Sequence, residues 1–234
     1  MQIKHYHFET IDSTNNWAKG HLAEFNKKEL TYISADFQTT GRGRFNRVWI
    51  SPPDENLLAT FVIWLGQLDF NLPQVLALAA ADMLKERGFE VKLKWPNDLL
   101  LNGKKISGIL SETIEEENGR WFILGIGINL NMTPDTLRLI DQAATSLFTE
   151  SGKTFDPEYL GRLLAAYFER SVAHYHGFGP FYERFKEKIT DQPGDVLKIG
   201  TYQGQFKDFN RDGSLTLTLE NGEDKVFISG EILD

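Results

Sequence analysis

Asn102-Gly103 is the feature that most limits how this chain can fold. Asn-Gly is the strongest short hairpin signal, because a type I′ turn needs positive φ at both central positions. It stands between short strand candidates at 91–94 and 99–101 on one side and 106–113 on the other. The chain must therefore turn back on itself there and pair antiparallel. A second hairpin follows, 106–113 with 121–131 across EEENG. Upstream, TYISADF (31–37) and the apolar, β-branched run NLLATFVIWL (56–65) read as strands. Residues 71–87 read as a helix: Asn71 caps it, Pro73 sits near its start, and Leu72, Val75, Leu76, Ala79 and Met83 form one stripe before Gly88 stops it. Two helices are expected at 157–176 and 179–188. Strands followed by helices give an α+β fold with a mixed, mostly antiparallel sheet and flanking helices.

The character changes after Lys188. The turn-rich DQPG at 191–194 leads to short strand candidates at 196–199, 204–210, 214–219 and 225–228, with turns at Asp212-Gly213 and Asn221-Gly222. Leu215, Leu217 and Leu219 alternate with Thr216 and Thr218, as in a half-buried strand. The expected division is a catalytic domain at 1–188 and a small SH3-like β-barrel at 189–234. At 234 residues and 41% hydrophobic content the chain can bury a core without staples, and it contains no cysteine. The N-terminus carries no signal-peptide run, and no apolar stretch approaches the ~18 residues needed to span a bilayer. The expected location is cytoplasmic, without a membrane.

The net charge of −8 argues against general nucleic-acid binding, which rests largely on neutralised phosphates. Any anion site must then be a local concentration of positive charge. Residues 38–51, QTTGRGRFNRVWIS, supply one: Arg42, Arg44 and Arg47, with Gly41 and Gly43 and no acid. The glycines let backbone approach a ligand and can form an anion-binding nest. Arginine forks suit carboxylate and phosphate oxygens, and Trp49 can lie against a flat ring. The same residues also read as a solvated basic loop, or as an RGG-like stretch that touches RNA.

KWPNDLLLNGKKISGIL at 94–110 is the second informative segment. Trp95-Pro96 favours an extended approach to the next strand. About the Asn-Gly turn, Leu99 and Lys105 are expected to face one another, with Asp98 nearby. A lysine supported by a carboxylate at the mouth of a sheet can neutralise a carboxylate or an α-phosphate; Lys104 and Lys105 can equally be solubilising residues beside a turn. Ser13, Thr14, Asn15 and Asn16 read as a helix N-cap that also offers amides and hydroxyls to a ligand. Gly125 and Gly127 alternate with isoleucine in GIGINLN, which suggests close packing on one strand face. That run is too short and wrongly placed for a Rossmann fingerprint or a P-loop.

Taken together, STNN at 13–16, Gln38 with GRGRFNRVW at 41–49, KWPND with GKKISGIL through 110, and GIGINLN at 125–131 resemble the biotin protein ligases in order and spacing. The resemblance spans nearly the whole chain. It implies a class II synthetase-like catalytic domain with a C-terminal barrel. It also implies a two-step reaction: biotin and ATP give biotinyl-5′-AMP, then a lysine of a biotin carboxyl carrier domain is biotinylated. Biotin and ATP are the substrates, with magnesium held mainly by the ATP phosphates and no dedicated protein site assigned. On this resemblance Ser13, Thr14, Asn15, Gln38, Arg42, Gly43, Arg44, Lys105 and Gly108 match biotin-contacting positions. Arg44, Arg47, Trp49, Asn97, Lys105 and Asn129 match the nucleotide side. Lys105, Arg42 and Asp98 are the expected catalytic group.

Many relatives carry Arg-Gly after GRGR, where this chain has Phe45-Asn46. Some bacterial relatives carry a leading winged helix and act as repressors. Here STNN begins at residue 13, so a ligase that does not bind operator DNA is expected, as a monomer or a homodimer. The rival readings are a lipoate or octanoate ligase of the same fold and a non-catalytic RNA-binding protein.

Overall fold

The structure is a computed structural model that describes residues 1–66 and 70–233. The elements are, in chain order, β1 (Gln2–Ile11), α1 (Thr14–Gly20), β2 (Glu29–Gln38), β3 (Asn56–Leu65), α2 (Leu72–Lys85), β4 (Val91–Lys94), β5 (Asp98–Leu101), β6 (Lys104–Glu116), β7 (Gly119–Asn129), α3 (Pro134–Leu137), α4 (Leu147–Ser151), α5 (Pro157–Val172), α6 (Tyr182–Lys188), β8 (Val196–Ile199), β9 (Tyr202–Phe209), β10 (Leu215–Leu219), β11 (Asp224–Phe227) and β12 (Ile232–Leu233). Seven strands form one mixed sheet in the order β1-β2-β3-β7-β6-β5-β4. The last five form a second, antiparallel sheet in the order β11-β10-β9-β8-β12. Among the described residues no helix is long and apolar enough to cross a membrane.

The ends of β3, β4 and β8 fall where the apolar pattern places them. β1 was not expected. It is an edge strand none of whose residues is fully buried, so QIKHYHFETI carries little apolar periodicity. It pairs parallel with β2, from Gln2↔Glu29 to Ile11↔Gln38. Parallel neighbours finish at the same edge, so this pairing delivers residues 12–16 and the loop after Gln38 to one place. Thr39 and Thr40 continue the contact by donating from their backbone N–H to the carbonyls of Ile11 and Asp12 at 2.8 and 2.9 Å. The helix expected over 157–176 stops at Val172. The one expected over 179–188 begins as a 3₁₀ turn at Gly179–Phe181 before α6. The short α3 and α4 were also missed, although the side chains of Thr133 and Ser146 cap them as such residues commonly do.

The two faces of the main sheet do different work. Helices α2 and α5 cover one face over Tyr32, Phe61, Leu124 and Ile126, with Phe61 and Phe168 5.2 Å apart between ring centres. That hydrophobic cluster continues without a break into Phe206, Phe209, Leu215 and Leu217 of the second sheet, through Phe185 set edge-on against Phe209 at 5.1 Å. On the opposite face α1 and a smaller cluster of Ala18, Phe25, Ile33, Val62, Trp121 and Ile123 fill one end. The other end of that face carries the glycines. Pairing sets Asp98, Gly108, Gly127, Leu58 and Ala35 in one row across five strands, and Leu110, Gly125, Thr60 and Ile33 in the next. Three side chains are thus missing from adjacent positions of one face, which leaves a trough.

Candidate active site

A cavity of about 360 Å³ lies over this trough. Ser13, Thr14, Asn15, Gln38, Arg42, Gly43, Arg44, Arg47, Trp49, Asn97, Asp98, Lys105 and Gly108 all line it. The structure therefore gathers along this cavity every residue that the resemblance matches to the site except Asn129. Asn129 is buried at the end of β7, and its Nδ2 donates to the carbonyl of Thr145 at 2.9 Å. It supports the site from behind: the segment it holds brackets Lys105, whose N–H donates to Ala143 and whose carbonyl accepts from Thr145, both at 2.9 Å.

The turn at Asn102-Gly103 forms as expected, with positive φ at both residues. The register across it differs from the sequence reading. Lys105 faces Leu100, and an irregularity between Leu99 and Leu100 sets Leu99 opposite Ser107 and Asp98 opposite Gly108. The extra residue on β6 re-aims the strand end, as bulges do beside active sites. Lys105 Nζ lies 2.8 Å from Asp98 Oδ2, and both side chains are about four-fifths buried. Lys104 is exposed. The Trp95–Pro96 bond before this hairpin is cis.

The arginine loop folds into a small hairpin of its own. Arg42 bridges Val48, Gly43 N–H donates to the Arg47 carbonyl at 2.7 Å, and Trp49 N–H donates to the Gly41 carbonyl at 3.0 Å. A 3₁₀ turn at Arg44–Asn46 forms its tip, where Phe45 takes a φ of 54°. For a bulky residue that left-handed conformation costs roughly 1–2 kcal/mol. Phe45 is exposed, with the Arg44 guanidinium 5.0 Å and the Arg47 guanidinium 6.0 Å from its ring centre. Each arginine has a distinct partner: Arg42 donates to Asn16 Oδ1, Arg44 to Asn97 Oδ1 at 3.0 Å, and Arg47 to both carboxylate oxygens of Glu231. Burial lowers the pKa of Arg44, against the opposing pull of Glu231 and Asp98. Hydrogen bonding and the charge of Glu231 raise that of the exposed Arg47.

The glycines account for how tightly these groups pack. A Cβ on Gly127 would lie 2.4 Å from the Trp49 ring, and one on Gly125 2.5 Å from Asn15 Oδ1. One on Gly108 would lie 3.2 Å from Lys105 Cε and 3.3 Å from Asp98 Oδ1. Gly127→Ala is accordingly expected to push Trp49 from the trough, with an overpacking cost of about 1–3 kcal/mol. Tryptophan fluorescence and thermal unfolding of the variant measure both effects.

Four buried polar atoms of cavity-lining residues, Arg42 Nε, Trp49 Nε1, Trp95 Nε1 and Asp98 Oδ1, have no hydrogen-bond partner. Buried polar groups are normally paired, so these are the atoms a ligand would satisfy. At the far end the groups are paired among themselves: Gln38 Oε1 accepts from Thr14 N–H at 2.7 Å, and Thr14, Thr60 and Asn15 are joined through their side chains. The cavity therefore has a cationic mouth, a glycine floor and a neutral, hydrogen-bonding end. Its carboxylates are Asp98, Asp141 and Glu231. Among the described residues no three His, Cys, Asp or Glu are grouped as a metal site. Glu231 and Ile232 from the last strand region, and Asp141 and Gln142 from the loop after α3, were not foreseen. Residues so far along the chain, in stretches without a motif, carry no local signal.

Fold and site together define a protein with a ligand cavity, cationic at its mouth, over an open sheet face. A family profile described as "Biotin/lipoate A/B protein ligase family" matches residues 7–129, and the chain belongs to that family. Within it, the chain is 34% identical over 233 residues to the "Bifunctional ligase/repressor BirA" of Bacillus subtilis (strain 168), covering 95% of this chain and 71% of that protein. It is likewise 34% identical to the "Biotin--[acetyl-CoA-carboxylase] ligase" of Paracoccus denitrificans, over 74% of this chain and 79% of that one. Among solved structures, the biotin protein ligase from Aquifex aeolicus in complex with biotin and ATP superposes with a TM-score of 0.78 at 28% identity, covering 98% of this chain and 97% of that one.

Proposed function

We propose that this ATP-dependent ligase condenses biotin with ATP to give biotinyl-5′-AMP and pyrophosphate, then transfers the biotinyl group to a lysine of a biotin carboxyl carrier domain. In the first step a biotin carboxylate oxygen attacks the α-phosphorus and pyrophosphate leaves. In the second the neutral lysine amine attacks the acyl carbon, AMP leaves, and the amine gives up a proton. Both steps bring anionic oxygens together, and positioned cations are the main way a protein lowers such barriers. Lys105, held by Asp98, and Arg42 and Arg44 on the loop are the cations at hand. Magnesium would be held mainly by the ATP phosphates and would offset their charge; no step is assigned to it.

The observation that carries biotin over lipoate or octanoate is the polar far end. Thr14, Asn15 and Gln38 line it, with Thr60 buried behind. An aliphatic acid would leave those groups without a ligand partner, the situation that gives hydrogen-bonding pockets their steepest discrimination. ATP–pyrophosphate exchange tests the reading: exchange should depend on biotin and be absent with lipoate or with no acid. Binding should also reorganise the arginine loop, because Arg42 and Arg44, which pair there only with the neutral amides of Asn16 and Asn97, would be neutralised together. Limited proteolysis is expected to cut within residues 38–51, with protection by biotin plus ATP. Equal cleavage in both conditions contradicts that coupling.

A further inference from the structure

Glu112 sits on β6 outside the cavity lining, yet it ends a hydrogen-bond chain that runs into the cavity. Its Oε1 accepts from Lys19 Nζ of α1 at 2.8 Å and its Oε2 from Asn15 Nδ2 at 2.9 Å. Asn15 Oδ1 is 2.6 Å from Thr60 Oγ1, which is 2.7 Å from Thr14 Oγ1. Thr60 is fully buried, and Thr14 and Asn15 are each 3% exposed. We propose that Glu112, clamped by Lys19, sets the direction of every hydrogen bond in this chain and so makes the far end of the cavity complementary to a cyclic urea. Glu112 is then a positioning residue for substrate selectivity. The inference rests on the biotin reading and deepens it.

The argument is one of donor and acceptor count. An ionised carboxylate only accepts. Burial pushes the Glu112 carboxyl up, but the hydrogen bonds from Lys19 and Asn15 and the charges of Lys19 and Arg42 outweigh it and hold the group below its ordinary range. Asn15 must therefore turn its NH₂ toward Glu112, since the reverse orientation would set a carbonyl against a carboxylate. Its Oδ1 then faces Thr60 and can only accept, which commits the single Thr60 hydroxyl proton to Asn15. The close Thr60–Thr14 contact must accordingly carry the Thr14 proton. With that proton on the shorter Thr60 contact, Thr14 Oγ1 cannot also donate to Gln38 Oε1, 3.1 Å away, and keeps its lone pairs for a ligand N–H, while Gln38 Oε1 still accepts from the Thr14 backbone N–H and its NH₂ remains a donor. Acceptor and donor side by side match the N–H and carbonyl of a urea.

Packing gives independent support. Gly125 lies directly across the strands from Thr60 and from Leu110, and a Cβ there would be 2.5 Å from Asn15 Oδ1. The amide is wedged against bare backbone, so its only freedom is to turn end for end, and the short contact to the Glu112 carboxylate, with a longer one of 3.5 Å to the Leu110 carbonyl, decides that choice. Without it the relay can run backwards: Thr60 would donate to Thr14, occupying one of the lone pairs the ligand uses.

Steady-state kinetics of Glu112→Gln and Glu112→Leu against the parent test this, with thermal unfolding as the control. Glutamine keeps the shape and removes the charge that dictates direction. Both variants should raise the KM for biotin, Leu by about 10- to 100-fold and Gln by less. The kcat at saturating biotin and the KM for ATP should stay near parent values. A folded Glu112→Gln with the parent's KM for biotin overturns the proposal. So does a loss spread equally over kcat and both KM values, which marks general damage. If Glu112→Leu does not fold, Gln decides alone. A parent enzyme that does not bind biotin at all, by calorimetry, rejects the underlying reading instead.

Discussion

Lys105→Ala is expected to slow adenylate formation by about 100- to 1000-fold, the loss typical when a positioned charge-stabilising group is removed. Lys104→Ala is expected to stay near the parent rate. Neighbours on a strand point to opposite faces; Lys105 lines the cavity beside Asp98 whereas Lys104 is exposed. The backbone of Lys105 is fixed on one side by β5 and on the other by residues 143–145, so the side chain leaves from a defined point. Lys105→Arg should rescue poorly, because a guanidinium fork is neither compact nor able to share Asp98 in the same way. Single-turnover formation of biotinyl-adenylate measures this, with thermal unfolding as the control. A large defect in Lys104→Ala and none in Lys105→Ala would reverse the assignment.

Arg42→Ala is expected to release the adenylate before transfer. Arg42 reaches the cavity from a loop held by a few backbone hydrogen bonds, the Arg44–Asn97 contact, Trp49 packed over Gly127 and the exposed Arg47–Glu231 pair. A surface pair of that kind is worth about 0–1 kcal/mol, so it cannot hold the loop closed alone. A charge-assisted contact from Arg42 to the intermediate is worth roughly 1.5–3 kcal/mol. Its loss should speed escape of biotinyl-adenylate about 10- to 150-fold. Trapping with a small amine measures the leak: the amine attacks the acyl carbon of released biotinyl-adenylate, AMP leaves, and the biotinyl amide that forms is counted. Parent-like retention would remove Arg42 from this role.

Much of the site could be read from the residues because its chemistry is concentrated in short segments. Arg42 and Arg44 stand out as cations in an acidic chain, and the glycines of GIGINLN stand out within an apolar strand. What joins these segments was harder to read. β1 is an edge strand with little apolar period, yet its parallel pairing with β2 is what brings Thr14 to Gln38. The facing of Lys105 with Leu99 was one residue off: a two-residue turn at Asn102-Gly103 pairs Leu101 with Lys104 and Leu100 with Lys105, and only the step beyond is irregular, setting Leu99 opposite Ser107. Asn129 belongs to a ligand-like motif but spends its amide on Thr145, behind Lys105. Glu231 reaches Arg47 from 184 residues away, a distance across which a single sequence carries no pattern. Glu112 looks like any strand glutamate until Lys19 and Asn15 are seen on either side of it.

The intact mass of a carrier domain after incubation with this protein, biotin and ATP tests the central claim most directly. One biotinyl group should be added per carrier, at its acceptor lysine, with none when ATP is omitted, when lipoate replaces biotin, or when that lysine is changed to arginine. A carrier left unmodified by biotin but acylated by lipoate under the same conditions would contradict the account.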